Sequence, residues 1–179
     1  MDTDKNLLQV SEFLLTLDDV QFTVRSSFDL PESAFHISLT NDKLHFESLR
    51  KFLADSIAKK LKPYAIAKPI QTHLTLDGLF QFGNNPTVNA DFKSTANAVS
   101  YGDTYTLSNA DFEGELTNKI YKSDSLQNLK GTKKDIKIFF KKASGSLDGM
   151  ELNMENSYYQ STPEYLNYAS GNLKIDGKN

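Results

Sequence analysis

Three histidines, His36, His45 and His73, and two carboxylate groups, Asp18-Asp19 and Asp111/Glu113/Glu115, are the residues best suited to acid–base or metal chemistry. The histidines lack the H-x-x-x-H spacing that puts two imidazoles on one helical face for a metal. Each sits within or beside an apolar/polar alternation, so each is expected on the solvent side of a strand. Glu113 and Glu115 alternate with Phe112 and Leu116, which gives these carboxylates the solvent side too. A glycosidase pair needs two carboxylates converging from different elements across a cleft, and nothing in this spacing imposes convergence. With no cysteine, thiol nucleophiles, disulfides and thiolate metal sites are excluded.

The basic stretch from Lys130 through Lys133, Lys134, Lys137, Lys141 and Lys142 encloses Phe139 and Phe140 and suggests a phosphate-binding patch. Gly131-Thr132-Lys133 lacks the earlier glycine that opens a P-loop. Lysines flanking an apolar strand also guard it against edge-to-edge pairing, and that is the simpler account. Twenty Lys+Arg against 23 Asp+Glu give a formal charge of −3, so no nucleic-acid footprint is implied. Sequons, EF-hand loops, GxSxG and GxGxxG are all absent. The expectation is a non-enzymatic protein with no catalytic residues, no metal and no cofactor.

The elements that would position these residues follow a clear grammar. Val20-Gln-Phe22-Thr-Val24, Phe35-His-Ile37-Ser-Leu39, Val88-Asn-Ala90-Asp-Phe92 and Ile136-Lys-Ile138-Phe-Phe140 each put apolar side chains on one face. Period-two alternation of this kind reads as half-buried antiparallel strand. Strands are expected at 20–25, 34–40, 70–76, 79–82, 87–93, 97–101, 105–108, 110–117, 135–142, 146–152, 154–160 and 173–175. Residues 7–17 suit either a strand or a short helical turn. Residues 26–33 and 122–134 read as loops, and Asn41-Asp42-Lys43 as a turn.

One segment changes period. Leu49, Phe52, Leu53, Ile57 and Leu61 form a single stripe of a helix over residues 47–62, with Glu47 near its start, lysines near its end and Pro63 stopping it. It is expected to cover an end or edge of the sheet; a partner-binding or membrane-surface helix is the alternative. The fold class expected is mainly β with one α-helix, as a curved antiparallel sheet (a groove or half-pipe) or an open sandwich. The 179 residues fit a single domain. No apolar run approaches the ~20 residues of a membrane helix, and no signal peptide is visible in the first residues.

Several stretches resemble the AsmA-like family of bacterial envelope proteins, particularly Bacteroidetes-type members. Lys68-Pro69-Ile70 enters a strand after the helix. Leu76-Asp77-Gly78 with Gly83-Asn84-Asn85-Pro86-Thr87-Val88 is similar to the family's G…G-[DN]-P-x-[IV] stretch. Asn109-Ala110-Asp111-Phe112-Glu113-Gly114 through Asn118 resembles A-[ST]-F-x-G-x-[FL]-x-N, and residues 147–163 resemble the following strand pair. Family members are longer and carry an N-terminal anchor, and the 123–134 stretch lacks the family's D-x-N-S pattern. The resemblance therefore implies a segment of a longer periplasmic or cell-envelope protein, linked to membrane only through a missing anchor.

It further implies a sheet whose apolar face holds phospholipid or other acyl-chain lipid, in outer-membrane and envelope lipid homeostasis. Neighbouring segments of the same protein would continue the sheet at its edges. The lining positions would be Ile70, Leu74, Leu76, Phe80, Phe82, Val88, Ala90, Phe92, Phe112 and Leu116. The same positions equally suit the closed core of a sandwich. A structural or interaction domain that pairs through exposed sheet edges is the alternative function.

Overall fold

The computed structural model describes residues 7–51, 58–59, 61–119, 136–161 and 168–177. Among these residues, ten strands and one helix follow in order: β1 (Leu7–Leu17), β2 (Val20–Asp29), β3 (Ala34–Leu44), α1 (Phe46–Lys51), β4 (Tyr64–Ile66), β5 (Ile70–Leu79), β6 (Thr87–Tyr101), β7 (Tyr105–Thr117), β8 (Ile136–Leu147), β9 (Met150–Ser161) and β10 (Tyr168–Gly177). All ten strands belong to one sheet in the order β1-β2-β3-β5-β6-β7-β8-β9-β10, with β4 also on β6. Every ladder is antiparallel. The sheet is open: β1 and β10 are its edges and do not meet.

Tight turns set this meander. Leu17 pairs with Val20 across Asp18-Asp19, and Leu147 with Met150 across Asp148-Gly149. Asp18 (φ 53°), Asp148 (φ 51°) and Gly149 (φ 82°) take the left-handed backbone that two-residue hairpin turns require.

Several breaks expected in the sequence are bulges within continuous strands. Residues 87–93 and 97–101 are one strand, β6, with a register shift around Ala96 (φ 46°). Residues 105–108 and 110–117 are likewise one strand, β7, kinked at Asn109 (φ 49°). The Asn41-Asp42-Lys43 turn is a shift inside β3, where Asn41 Oδ1 accepts from the Lys43 amide at 2.7 Å. A small or polar residue that tolerates φ > 0 absorbs one extra residue while both flanks keep pairing, and the strand bends there. The loop expected over 26–33 shrinks to its last four residues, because β2 runs on to Asp29 opposite Ala34.

Residues 7–17 form a strand. The helix expected over 47–62 is described over Phe46–Lys51 and is helical again at Ala58, Lys59 and Leu61; Phe52, Leu53 and Ile57 lie outside the described residues. Its Phe46 is buried, and Leu49 packs on a cluster of Val20, Phe22, Val24, Leu39, Leu44 and Ile70. The helix thus covers one end of one face of the sheet. The loop expected over 122–134 lies within 120–135, outside the described residues.

Candidate functional site

Register assigns every strand residue to a face, because directly paired residues in an antiparallel ladder point the same way. One row crosses the whole meander: Phe13, Val24, Leu39, Leu74, Ala90, Leu116, Ile138, Tyr159 and Ala169. All nine side chains are apolar or aromatic. The row two residues away along β5 carries Ile37, Leu76 and Val88. The row on its other side carries Thr72, Phe92, Gly114 and Phe140.

Away from α1, this apolar face is half-buried rather than closed. Leu74, Leu76, Val88, Ala90, Phe92, Phe112, Leu116, Ile138 and Phe140 all keep partial solvent contact, while Ile70 beneath the helix end is buried. Aromatic rings cover its glycines: Phe92 lies over Gly114 and Phe35 over Gly78. Among the described residues, α1 is the one helix laid on this face.

Eight of the ten expected lining residues therefore share one face: Ile70, Leu74, Leu76, Val88, Ala90, Phe92, Phe112 and Leu116. The other two were expected in a strand over 79–82, but β5 ends at Leu79. Phe80 leaves the ladder and turns its ring back onto the face, 5.0 Å from Phe35 and 5.8 Å from Phe28 between centroids. Phe82 stands fully exposed in the following turn and lines nothing. Gly83 (φ 81°) makes that turn and stops the alternation from continuing. Phe13, Val24, Leu39, Ile138, Phe140 and Tyr159 belong to the face as well. Their own alternation was the signal that could have placed them there.

The opposite face carries the charged groups. Thr40, His73, Asp91 and Glu115 form one row, and Gln71, Lys93, Glu113 and Lys142 the next. A hydrogen bond joins His36 Nδ1 and Asp77 Oδ1 (2.6 Å), and ion pairs cross the strands at Lys141–Glu115 (2.7 Å), Lys93–Glu113 (3.6 Å) and Lys142–Glu113 (3.7 Å). The hydrogen bond and charge of Glu115 raise the pKa of Lys141 above its ordinary value. Glu113 and Glu115 are thus matched by cations. Lys141 and Lys142, the described end of the basic stretch, are their partners on the outer face.

Ser38, His73 and Asp91 also come together on this face. Ser38 Oγ lies 2.9 Å from His73 Nε2, and Asp91 Oδ2 lies 3.7 Å from His73 Nδ1. Acyl transfer needs free N–H donors beside the nucleophile to hold an oxyanion. Ser38 instead sits inside β3, paired to Arg25 on one side and Thr75 on the other, where the ladders occupy the backbone donors. The third histidine, His45, is exposed at the start of α1. Among the described residues no group of three or more His, Asp or Glu converges as a metal site. Open depressions of about 380 Å³ beside Asp19, Asn41 and Lys43, and about 310 Å³ beside His73, Asp91 and Lys141, bring no such group together.

A buried amide on β6 joins β4 to β5, which lie end to end along that strand. Asn97 is 2% exposed. Its Oδ1 accepts from the Lys68 amide at 2.8 Å, and its Nδ2 donates to the Lys68 carbonyl at 3.0 Å and to Ser94 Oγ at 2.7 Å. β4 and β5 both pair with β6, and Asn97 fills the gap between them as a strand residue would. Sequence reasoning missed this role, since an asparagine in a strand carries no mark of its partner.

No family model, characterised protein or solved structure matches this chain. Among the described residues, no helix is long and apolar enough to cross a membrane.

Proposed function

We propose that the open apolar face holds the acyl chains of a lipid, and that the protein works without catalysis. The observation carrying this reading is the row from Phe13 to Ala169: nine strands present apolar side chains to one side and no second sheet covers them among the described residues. An uncovered apolar surface of this extent is costly in water and marks an interaction site. Acyl chains suit it because they bring no hydrogen-bonding groups that the face would leave unpaired.

The AsmA-like resemblance supplies a setting for this reading. The chain would be a segment of a longer periplasmic envelope protein serving lipid homeostasis, with neighbouring segments continuing the sheet at β1 and β10. Nine strands abreast at about 4.8 Å spacing span only ~40 Å, so this segment holds lipid and does not by itself bridge two membranes.

A second reading is supported by β1. This edge strand exposes Leu8, Val10 and Phe13 toward the apolar side and Leu7 and Leu14 toward the other. An edge so poor in charge suits strand addition by another chain. Native mass spectrometry of the purified chain with lipid extraction separates the two. Co-purifying phospholipid that is lost in a folded Leu74→Glu/Leu116→Glu variant supports the lipid face. A clean apo mass with no uptake from liposomes leaves edge pairing.

A further inference from the structure

Among the described turns, the two ends of the sheet differ in chemistry. At one end the β1–β2, β6–β7 and β8–β9 turns carry Asp18-Asp19, Gly102-Asp103 and Asp148-Gly149. At the other, the β2–β3 turn carries Leu30-Pro31 and the β5–β6 connection carries Phe80 and Phe82. These two connections are neighbours, tied by a hydrogen bond from the Phe80 amide to the Ser33 carbonyl at 2.7 Å. Leu30 is 62% exposed, Phe80 61%, and Phe82 fully exposed. Leu7 and Leu8, half-exposed on β1 opposite Asp29 and Phe28, extend the patch sideways.

We propose that this end is a membrane-docking tip, in which Leu30 and Phe82 enter the interface of a lipid bilayer while Phe80 joins the bilayer to the apolar face. Three features favour a bilayer over a protein partner. The first is exposure: Leu30 and Phe82 stand out on turns rather than in a groove, with nothing within 4 Å of the space beside Gly83. Second, polar Gly83-Asn84-Asn85 follows Phe82 directly, where headgroups would meet it.

The third is continuity. Phe80 contacts Phe28 and Phe35, which start the apolar face, and the next row inward is Ile37, Leu76 and Val88. An acyl chain leaving the bilayer at this tip would meet apolar surface along the whole path. The charged residues at the β2–β3 turn are Asp29, the last of β2, and Glu32, so attraction comes from apolar insertion, and the surface bound is a zwitterionic one. This inference takes its purpose from the lipid reading, but its test is independent of it.

The experiment is co-sedimentation of the full chain with phosphatidylcholine vesicles, comparing the wild type with Leu30→Ser/Phe82→Ser. Leu173→Ser, equally exposed on the far edge strand β10, is the control. The expected result is binding by wild type and control, insensitive to salt, and at least about a tenfold loss in the tip variant. Both tip residues lie in solvent, so the variant keeps its fold, which circular dichroism checks. Equal binding by wild type and tip variant, equal loss in the control, or no binding by the wild type each overturns the proposal. Lipid extracted from the same samples reports separately on the apolar face: a tip variant that keeps its lipid but loses vesicle binding supports the tip. A chain that holds no lipid yet shows the tip-dependent binding supports the tip and refutes the lipid face.

Discussion

Phe92 and Phe140 meet edge to face across Gly114, with ring centroids 5.6 Å apart and planes at 72°. Gly114 lies between them in register, on the strand that separates β6 from β8. The missing side chain lets two aromatics from non-adjacent strands touch, and the contact fills the face without a second layer. A Cβ at this position would collide with the Phe92 ring and the Phe139 carbonyl oxygen. Gly114→Ala is therefore expected to destabilise the fold by about 2 kcal/mol through forced displacement of ring and backbone. Urea denaturation measures it; an unchanged midpoint would mean that the two strands move apart freely.

The Asn97 amide predicts a comparable effect. Asn97→Ala removes both hydrogen bonds to the exposed Lys68 backbone and the buried one to Ser94 Oγ, at a cost of about 1–2 kcal/mol. Amide hydrogen exchange should locate the damage at β4 and the start of β5, with the β8–β9 ladder unaffected.

Much of this fold is legible in the sequence because alternation and burial agree. Val20, Phe22 and Val24 are buried and their neighbours Gln21 and Arg25 exposed, as period two requires. Strand continuity was hidden wherever a bulge shifts the phase. At Ala96 and Asn109 the apolar pattern slips by one residue, and a slip reads as an end when the partner strand is unseen. Of the candidate face, eight positions were legible from alternation. Phe82 was not, since Phe80-Gln81-Phe82 alternates perfectly and only the Gly83 turn and the Ser33 contact pull it out of register. Long-range polar contacts such as Asn97 to Lys68 leave no local signal at all.

Lys141 gives a prediction in pH. Glu115 raises its folded pKa above 10.5 by hydrogen bond and charge. A raised folded pKa contributes stability that is fully present below the unfolded value near 10.5 and is lost as pH rises through the folded one. Stability curves of wild type and Lys141→Met should thus differ at neutral pH and converge in strong alkali. The pair is exposed, so the gap should be small and shrink with added salt. A gap that widens with pH would contradict the pairing.

The β1 edge predicts a change in behaviour rather than in stability. Leu14 is 64% exposed and points to the polar side of an unprotected edge strand. Leu14→Lys should leave thermal unfolding nearly unchanged and reduce aggregation on storage, since a lysine on an edge discourages pairing with another chain. Light scattering reads the result, and equal aggregation of both proteins would show that β1 is not the adhesive edge.

The measurement closest to the central claim is photocrosslinking with a diazirine-labelled fatty acid, mapped by peptide mass spectrometry. The account predicts labels on Leu74, Ala90, Leu116 and Ile138, on four neighbouring strands, and none on Thr75, Asp91 or Glu115, which point to the other side. Labels spread over both faces, or none above the level of the denatured chain, would contradict a lipid-holding face.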